Sequence, residues 1–164
     1  MLETSTMGGH PYWYVVPYES DIDAALQKLR QREFEAGRYN PVIRFLEFPI
    51  GPNSPSPGPQ HASIEEVLET TNEDGTRSIL DMMRVSPAPF DLSEIDPSEM
   101  PFMTVSALAE PVLVDLFGSP HPSRQAVENC SALWDRLERG MGIYVVLHSN
   151  GRPQEIFFAG ISFD

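Results

Sequence analysis

Residues 142–164 read GIYVVLHSNGRPQEIFFAGISFD and predict a β-hairpin around which the rest of the chain is organised. Two apolar runs, residues 143–147 and 156–163, flank the dipeptide Asn150-Gly151. Asn-Gly is the dipeptide that best tolerates the two positive φ angles of a type I′ turn between antiparallel strands. The pattern therefore indicates two paired strands joined by a two-residue turn.

A two-residue turn also fixes the register of the predicted hairpin. The expected pairs are Ser149–Arg152, Leu147–Gln154, Val145–Ile156 and Ile143–Phe158. Pro153 agrees with this register, because the residue after the turn-flanking pair points its backbone nitrogen away from the partner strand. The absent N–H of Pro153 should therefore cost no hydrogen bond of the ladder.

The second strand of the hairpin carries apolar residues on both parities. Ile156 and Phe158 share one parity, and Ile161 and Phe163 share the other. A strict period of two cannot place all four side chains on one face of a sheet. We expect a β-bulge near Ala159-Gly160 to reconcile them. The alternative is a strand that is buried on both faces.

The chain has 164 residues, 41% of them hydrophobic, which is enough for one domain with a sizeable core. We assign residues 1–10 to a flexible N-terminus and residues 11–164 to a single α+β domain. The expected architecture is a mostly antiparallel or mixed sheet of four or five strands. We expect the helices to pack mainly on one face of this sheet and the hairpin to close against the N-terminal strand.

Capping and alternation patterns locate the other elements. The expected elements are a strand at 12–18, helices after Ser20, Ser63 and Ser123, a helix at 110–117 and a short strand at 102–108. Residues 77–85 fit a strand or a helix, and we favour a strand because Gly75 terminates the preceding helix. The last helix should bury one apolar stripe that includes Cys130.

A proline-rich loop separates the first two predicted helices. Residues 38–60 contain six prolines, each of which removes a backbone donor and disfavours a helical conformation for its predecessor. A loop of this length in a small domain is usually functional or mobile. We expect residues 51–59 to be its more mobile half.

The charge of the chain is acidic and unevenly distributed. Eleven basic and 24 acidic residues give a net charge of −13, and residues 65–115 alone carry −10, whereas residues 28–44 carry +3. Such a protein should be repelled by nucleic acid and anionic membranes and attracted to a basic protein partner. No apolar run approaches the roughly 20 residues that span a bilayer, and residues 1–9 lack the apolar core of a signal peptide. We therefore expect a cytoplasmic protein.

The sequence contains no motif for a metal, a cofactor or a catalytic centre. Cys130 is the single cysteine, which excludes a disulfide framework and a cysteine-rich metal site. The four histidines are scattered, and no two have the i, i+4 spacing of a helical metal site. No GxSxG, P-loop or GxGxxG pattern occurs. We therefore expect neither metal nor cofactor, and we favour a protein without catalytic activity.

The best candidate for a binding site is Arg38-Tyr39-Asn40, at the end of the first helix and the mouth of the long loop. Arginine beside tyrosine is a composition typical of binding hot spots. Together with Asp81, these residues form a candidate site for a phosphate or a carboxylate. The neighbouring charges, such as Arg32 with Glu35, are explained by a solvated helix face.

Several runs of the chain resemble landmarks of small uncharacterised bacterial proteins. These runs are EF at 33–34, GRYNP at 37–41, ASIEE at 62–66, GTRSILD at 75–81, EIFFAG at 155–160 and SFD at 162–164. The run at 37–41 also resembles, over five residues, a short motif of RES-type NAD-degrading toxins. The broader resemblance implies a bacterial cytosolic protein and no particular activity or site.

Two functions are compatible with these observations. The first is a non-enzymatic binding or regulatory protein, immunity-like or antitoxin-like, whose acidic surface captures a basic partner. The second is a small-ligand binder or enzyme that uses Arg38, Tyr39 and Asn40 to hold a phosphate or a carboxylate.

The first function predicts a salt-sensitive partner. Tagged protein should retain a basic partner from native lysate at low salt and lose it at raised salt, because the attraction between exposed charges is screened. A partner retained equally at both salt concentrations, or no partner at either, would contradict electrostatic capture.

Overall fold

The computed structural model describes residues 9–43, 47–51, 53–71, 74–90 and 103–163. Its strands are β1 Pro11–Pro17, β2 Arg84–Val85, β3 Thr104–Ala107, β4 Gly142–Ser149 and β5 Arg152–Ile161. Its α-helices are α1 Ile22–Ala36, α2 Ile64–Thr71, α3 Glu110–Phe117, α4 Arg124–Glu128 and α5 Ser131–Asp135. A short 3₁₀ helix, Ile79–Asp81, lies between α2 and β2.

The strands form one mixed sheet in the order β1-β5-β4-β3-β2. β5 pairs antiparallel with both β1 and β4, whereas β3 pairs parallel with both β4 and β2. The sheet confirms the predicted α+β class, the mixed pairing and the closure of the hairpin against the N-terminal strand. β1 and β2 are its two edge strands.

The turn of the hairpin has the predicted geometry. Asn150 and Gly151 have φ angles of 54° and 75°, which are the two positive values that a type I′ turn requires. Ser149 pairs with Arg152 as expected. The prediction of the turn from Asn-Gly is therefore confirmed.

Beyond the turn, the predicted register is wrong by one residue. The observed pairs are His148–Pro153, Leu147–Glu155, Val145–Phe157 and Ile143–Ala159. Gln154 is therefore an extra residue in β5, and its carbonyl accepts a hydrogen bond of 3.0 Å from the backbone N–H of Tyr18. Because directly opposite residues share a face of the sheet, the shift places Phe157 on the same side as Val145.

β5 is buried on both faces, which was the alternative to the expected bulge. Ile156 and Phe158 belong to one core cluster, and Phe157 and Ala159 belong to another. The register of β5 against both neighbours is continuous from Glu155 to Gly160, so the prediction of a bulge near Ala159-Gly160 is wrong. The two sets of apolar residues are reconciled by two cores instead.

The glycine at position 160 serves close packing and not a bulge. A Cβ atom there would lie 2.5 Å from the hydroxyl oxygen of Tyr12 and 2.7 Å from the carbonyl oxygen of Met141. The absence of a side chain at Gly160 lets both neighbouring strands approach this part of β5.

Helices cover both faces of the sheet. α1 packs on one face through Ala25, Leu26 and Leu29, while α3, α4 and α5 contribute to the core on the other face. The expectation that helices pack mainly on one face is therefore wrong. The physical reason is that a central strand with apolar side chains on both parities must be covered on both sides.

Within residues 77–85, Ile79–Asp81 is a short 3₁₀ helix and only Arg84–Val85 is a strand. The preference for a strand over these residues was therefore largely wrong. The hydroxyl of Ser78 accepts a hydrogen bond of 3.2 Å from the N–H of Leu80, and Asp81 accepts one of 2.8 Å from the N–H of Thr76. These side chains satisfy backbone donors locally and favour a turn over a strand.

Two helices begin or end at residues other than those predicted. The first is capped by Asp21, and not by Ser20, through a hydrogen bond of 3.0 Å from the N–H of Ala24. The last begins after Ser123 as predicted, but it ends at Glu128, and a separate helix follows Cys130. The predicted N-terminal segment falls largely on residues 1–8, which lie outside the described residues.

The packing of β5 predicts how two substitutions affect stability. Phe158 is fully buried, so Phe158→Ala should lower the free energy of unfolding by about 3–5 kcal/mol through lost contacts and a cavity. Pro153→Ala should be nearly neutral, because the restored N–H would point away from β4. Chemical denaturation of both variants measures the difference, and a Pro153→Ala variant as unstable as Phe158→Ala would contradict the pairing.

Candidate binding site

Arg38 is held against α1 by a buried carboxylate. Gly37 ends the helix in a left-handed conformation, and Arg38 then turns back so that its Nε donates to Glu33 Oε1 at 2.8 Å. A second hydrogen bond joins Arg38 Nη2 to Glu33 Oε2. The hydrogen bonds to Glu33 raise the pKa of Arg38 above its usual value. The pair fixes the guanidinium group at the end of α1.

Tyr39 is an internal residue that attaches the proline-rich loop to the body of the protein. Its ring is fully buried and stacks on Phe34, with ring centroids 6.0 Å apart. Its hydroxyl lies 2.9 Å from Nδ1 of His61 and accepts a hydrogen bond of 3.3 Å from the N–H of Gln60. Burial raises the pKa of Tyr39. Through these contacts Tyr39 stabilises the fold.

Asn40 and Asp81 both form hydrogen bonds to the backbone of residues 75–76. The side-chain amide of Asn40 donates to the carbonyl of Gly75 at 2.9 Å, and its N–H donates to the carbonyl of Thr76 at 2.8 Å. Asp81, which is 1% exposed, accepts from the N–H of Thr76 at 2.8 Å. These hydrogen bonds join the long loop to the segment that precedes the 3₁₀ helix.

None of the cavities formed by the described residues is lined by all four predicted site residues. Arg38 lines an open cleft of about 300 Å³ at the edge of the sheet, whereas Tyr39, Asn40 and Asp81 do not line it. The described residues that line this cleft are Trp13, Tyr14, Val15, Arg32, Glu33, Arg38, Gly51 and Arg124. We call it the arginine cleft.

The arginine cleft has an excess of positive charge on the side of α1. Glu33 is 1% exposed and is shared by Arg38 and Arg32, whose Nε donates to Glu33 Oε2 at 3.1 Å. One carboxylate thus faces two guanidinium groups. The side chain of Arg32 is 48% exposed, and its two terminal nitrogens have no hydrogen-bond partner among the described residues.

Arg124 reaches the cleft from α4, on the other face of the sheet. It donates to Glu128 at 2.5 Å and to Glu155 at 3.1 Å. Because its side chain is 50% exposed, these ion pairs are screened by solvent and can be exchanged for a ligand at little cost. Arginines from both faces therefore flank one stretch of β1.

The pairing of β1 determines which of its backbone groups face the cleft. The N–H of Ser162 donates to the carbonyl of His10, and the N–H of Tyr18 donates to the carbonyl of Gln154. Hydrogen-bonded residues alternate along an antiparallel strand, and the register is continuous from Pro11 to Pro17. The even-numbered residues therefore bond to β5, and the odd-numbered residues turn their backbone groups outward.

The outward edge of β1 offers two backbone donors. Its outward-facing residues are Pro11, Trp13, Val15 and Pro17. Since proline has no N–H, the outward donors are the N–H groups of Trp13 and Val15, and no described residue bonds to either. Trp13, Tyr14 and Val15 are consecutive residues that all line the arginine cleft, so the cleft runs along this edge.

An aromatic groove adjoins the arginine cleft at Trp13. It has a volume of about 500 Å³, and its lining includes Trp13, Trp134, Phe157 and Cys130. The rings of Trp13 and Phe157 are stacked, with centroids 6.1 Å apart. Because Trp13 lines both cavities, the edge of β1 lies between a cationic surface and an aromatic one.

The described residues contain no cluster of three or more histidine, cysteine, aspartate or glutamate side chains that could hold a metal ion. None of the helices in the described part is long and apolar enough to cross a bilayer.

Comparison of the chain with protein-family models, with curated proteins and with solved structures finds no match in any of the three.

The sequence predicted Arg38 as a candidate residue but did not indicate Arg32, Arg124 or Trp13, which line the same cleft. The local charge of +3 over residues 28–44 was a signal for Arg32, but Arg32 was assigned to a pair with Glu35 on a solvated helix face, whereas in the structure it bonds Glu33. No sequence pattern indicated Arg124, because it reaches the cleft through the packing of α4 against the sheet.

The shared carboxylate of Glu33 predicts a stability difference between neighbouring positions. Glu33→Gln should lower the free energy of unfolding by about 1–3 kcal/mol, because the charge that balances two guanidinium groups is lost. The cost should stay below the 3–5 kcal/mol typical of a fully buried pair, since both arginines keep contact with solvent. Urea denaturation of Glu33→Gln measures this loss.

Glu35→Gln is the matched control for this prediction. Glu35 lies on the same helix and is exposed, and its side chain accepts a hydrogen bond from Gln31. Its replacement should change stability by less than about 0.5 kcal/mol. Equal effects at the two positions would mean that Glu33 does not hold the end of α1.

Proposed function

We propose that this chain is a non-enzymatic binding protein whose ligand carries a carboxylate or a phosphate and occupies the arginine cleft. The proposal rests on the incomplete hydrogen bonding of the Arg32 side chain. Its partner Glu33 is also paired with Arg38, and the half-exposed Arg32 side chain, which lines the cleft, has two terminal nitrogens without a partner among the described residues. An anion in the cleft would complete this arrangement.

The geometry of guanidinium groups favours an anion with two oxygens. A planar guanidinium donates two parallel hydrogen bonds to a carboxylate or a phosphate, and such charge-assisted bonds are stronger than neutral ones. Glu33, the carboxylate that lines the cleft, is engaged by Arg32 and Arg38 and is therefore poorly placed to act as a general base. These features support recognition more than catalysis.

The alternative function, capture of a basic partner, stays a prediction. Helix α2 presents Glu65, Glu66 and Glu69 to solvent, in agreement with an acidic surface. Within residues 65–115, Asp81 is buried, and residues 91–102 lie outside the described part of the chain. The arginine cleft is the more specific feature, so we rank anion binding first.

Ligand-induced stabilisation tests the proposed function. Dicarboxylates, acidic dipeptides and inorganic phosphate should be screened, and at least one should raise the melting temperature in proportion to ln(1 + [L]/Kd). Arg32→Gln should abolish this rise while leaving the melting temperature of the unliganded protein nearly unchanged, because the side chain is half exposed.

Arg84→Gln is the matched control, since Arg84 is exposed on β2 at the opposite edge of the sheet. It should keep the full ligand response. A screen without any stabilising anion, or a response that Arg32→Gln and Arg84→Gln reduce equally, would refute binding in the arginine cleft.

A further inference from the structure

We propose that the ligand is an extended peptide that adds to the outward edge of β1 as a further strand. The inference rests on the proposed function and deepens it by naming the ligand class. In this complex, acidic residues of the peptide lie over Arg32 and apolar residues lie over Trp13. The carboxylate that the arginine cleft binds thus belongs to a polypeptide.

The backbone of β1 supports strand addition. The N–H groups of Trp13 and Val15 and the carbonyls of all four outward-facing residues have no partner among the described residues. An unpaired strand edge binds an extended peptide through backbone hydrogen bonds, while the side chains on either side of the edge supply specificity. The arginine cleft, which Gly51 of the proline-rich loop also lines, lies along this stretch of β1, and Trp13 and Val15 are only partly buried.

The two faces of the sheet specify an alternating peptide sequence. A residue directly opposite Trp13 or Val15 shares their face of the sheet, where the aromatic groove is formed with Trp134 and Phe157 and where Arg124 is already paired with Glu128 and Glu155. The next residue of the peptide points to the other face, where Arg32 of α1 and Arg38, which follows the helix, line the cleft. The fitting peptide therefore alternates apolar and acidic residues.

Charge complementarity selects an acidic peptide over a neutral one. On the face of the sheet that α1 covers, the guanidinium groups of Arg32 and Arg38 share the single carboxylate of Glu33, so this side of the cleft carries an excess of positive charge. An acidic side chain there gains charge-assisted hydrogen bonds, whereas a lysine would face like charges. The carboxylate of the peptide is either a side chain or the C-terminus. Amidation of the C-terminus removes binding only if the terminal carboxylate is the group that the cleft holds.

The first experiment titrates the intact protein with short peptides. The probe is the acetylated and amidated peptide Val-Glu-Val-Glu-Val, and its control is Glu-Glu-Val-Val-Val, which has the same composition without alternation. The readout is tryptophan fluorescence, because the two tryptophans of the chain, Trp13 and Trp134, both line the aromatic groove. The alternating peptide should bind about tenfold or more tightly than its control, through charge-assisted contacts that the control cannot align.

A second arm tests the source of the carboxylate and the requirement for charge. The same alternating peptide with a free C-terminus should bind with an affinity within about threefold of the amidated form if side chains supply the carboxylate. A gain of about tenfold or more on freeing the C-terminus assigns the terminal carboxylate to the cleft instead. Replacing both glutamates by lysine should abolish binding, and a lysine peptide that binds equally would overturn the assignment of an acidic ligand.

N-methylation of the peptide tests backbone pairing directly. Only every second residue of an added strand directs its N–H toward β1, so methylation at one parity should weaken binding by about tenfold or more, and methylation at the other should be tolerated. Sensitivity at the valines indicates antiparallel addition, and sensitivity at the glutamates indicates parallel addition. Tolerance at both parities, or equal loss at both, would overturn strand addition.

Protein variants complete the test. Val15→Pro removes one outward donor, as proline already does at positions 11 and 17, and should weaken the peptide, whereas Val15→Thr, which keeps the N–H, should not. The melting temperature of each variant shows whether it is folded, and the methylated peptides decide the question if Val15→Pro unfolds.

The outcomes separate this inference from the proposed function. Small anions that stabilise the protein through Arg32, together with peptides that show no preference for alternation or methylation parity, would refute the peptide and leave anion binding standing. Failure of both the anions and the peptides would refute both.

Discussion

Burial of both faces of β5 is the constraint on which the rest of the structure depends. Its consecutive residues Ile156 to Ala159 enter two different cores, so the strand has to lie inside the sheet and be covered on both sides. α1 supplies one cover, and α3, α4 and α5 supply the other. The arginine cleft follows from this arrangement, because helices on opposite faces place Arg32 and Arg124 on the two sides of the same edge strand.

The electrostatics of the cleft differ from those of the whole chain. A net charge of −13 repels anions at long range, an effect that is strongest at low ionic strength. Affinity for an anion must therefore come from direct contacts within the arginine cleft. The buried carboxylate of Glu33 is central to these contacts, since it orients Arg38 and leaves the terminal nitrogens of Arg32 available.

Local sequence signals predicted the features of the fold that are local. The Asn150-Gly151 turn, the strand at the N-terminus and the helix Glu110–Phe117 were all identified from residues adjacent in the chain. The extra residue Gln154 was not, because its carbonyl is bonded by Tyr18, which is distant in sequence. The two-sided burial of β5 was visible as apolar residues on both parities, but choosing between a bulge and two cores required knowing what packs on each face.

The candidate site was predicted only where the helix end itself marks it. Arg38 follows the glycine that terminates α1, and that position was recognisable. Tyr39 and Asn40 share the motif but bond inward, a difference that depends on the path of the proline-rich loop over α1. Arg124 and Trp13 line the same cleft as Arg38 because α4 and α1 pack on the two faces of the sheet beside β1. No local pattern in the sequence predicts this proximity.

The two prolines of β1 have a consequence for alignment along its edge. Pro11 and Pro17 stand at the outward-facing positions on either side of Trp13 and Val15. A neighbouring strand that slides by two residues would bring one of its carbonyls opposite a proline nitrogen and lose a hydrogen bond. The prolines therefore favour one register for a strand that pairs with this edge, although backbone hydrogen bonds alone would allow several. Pairing of β1 edges from two copies of the chain in a shifted register is disfavoured for the same reason.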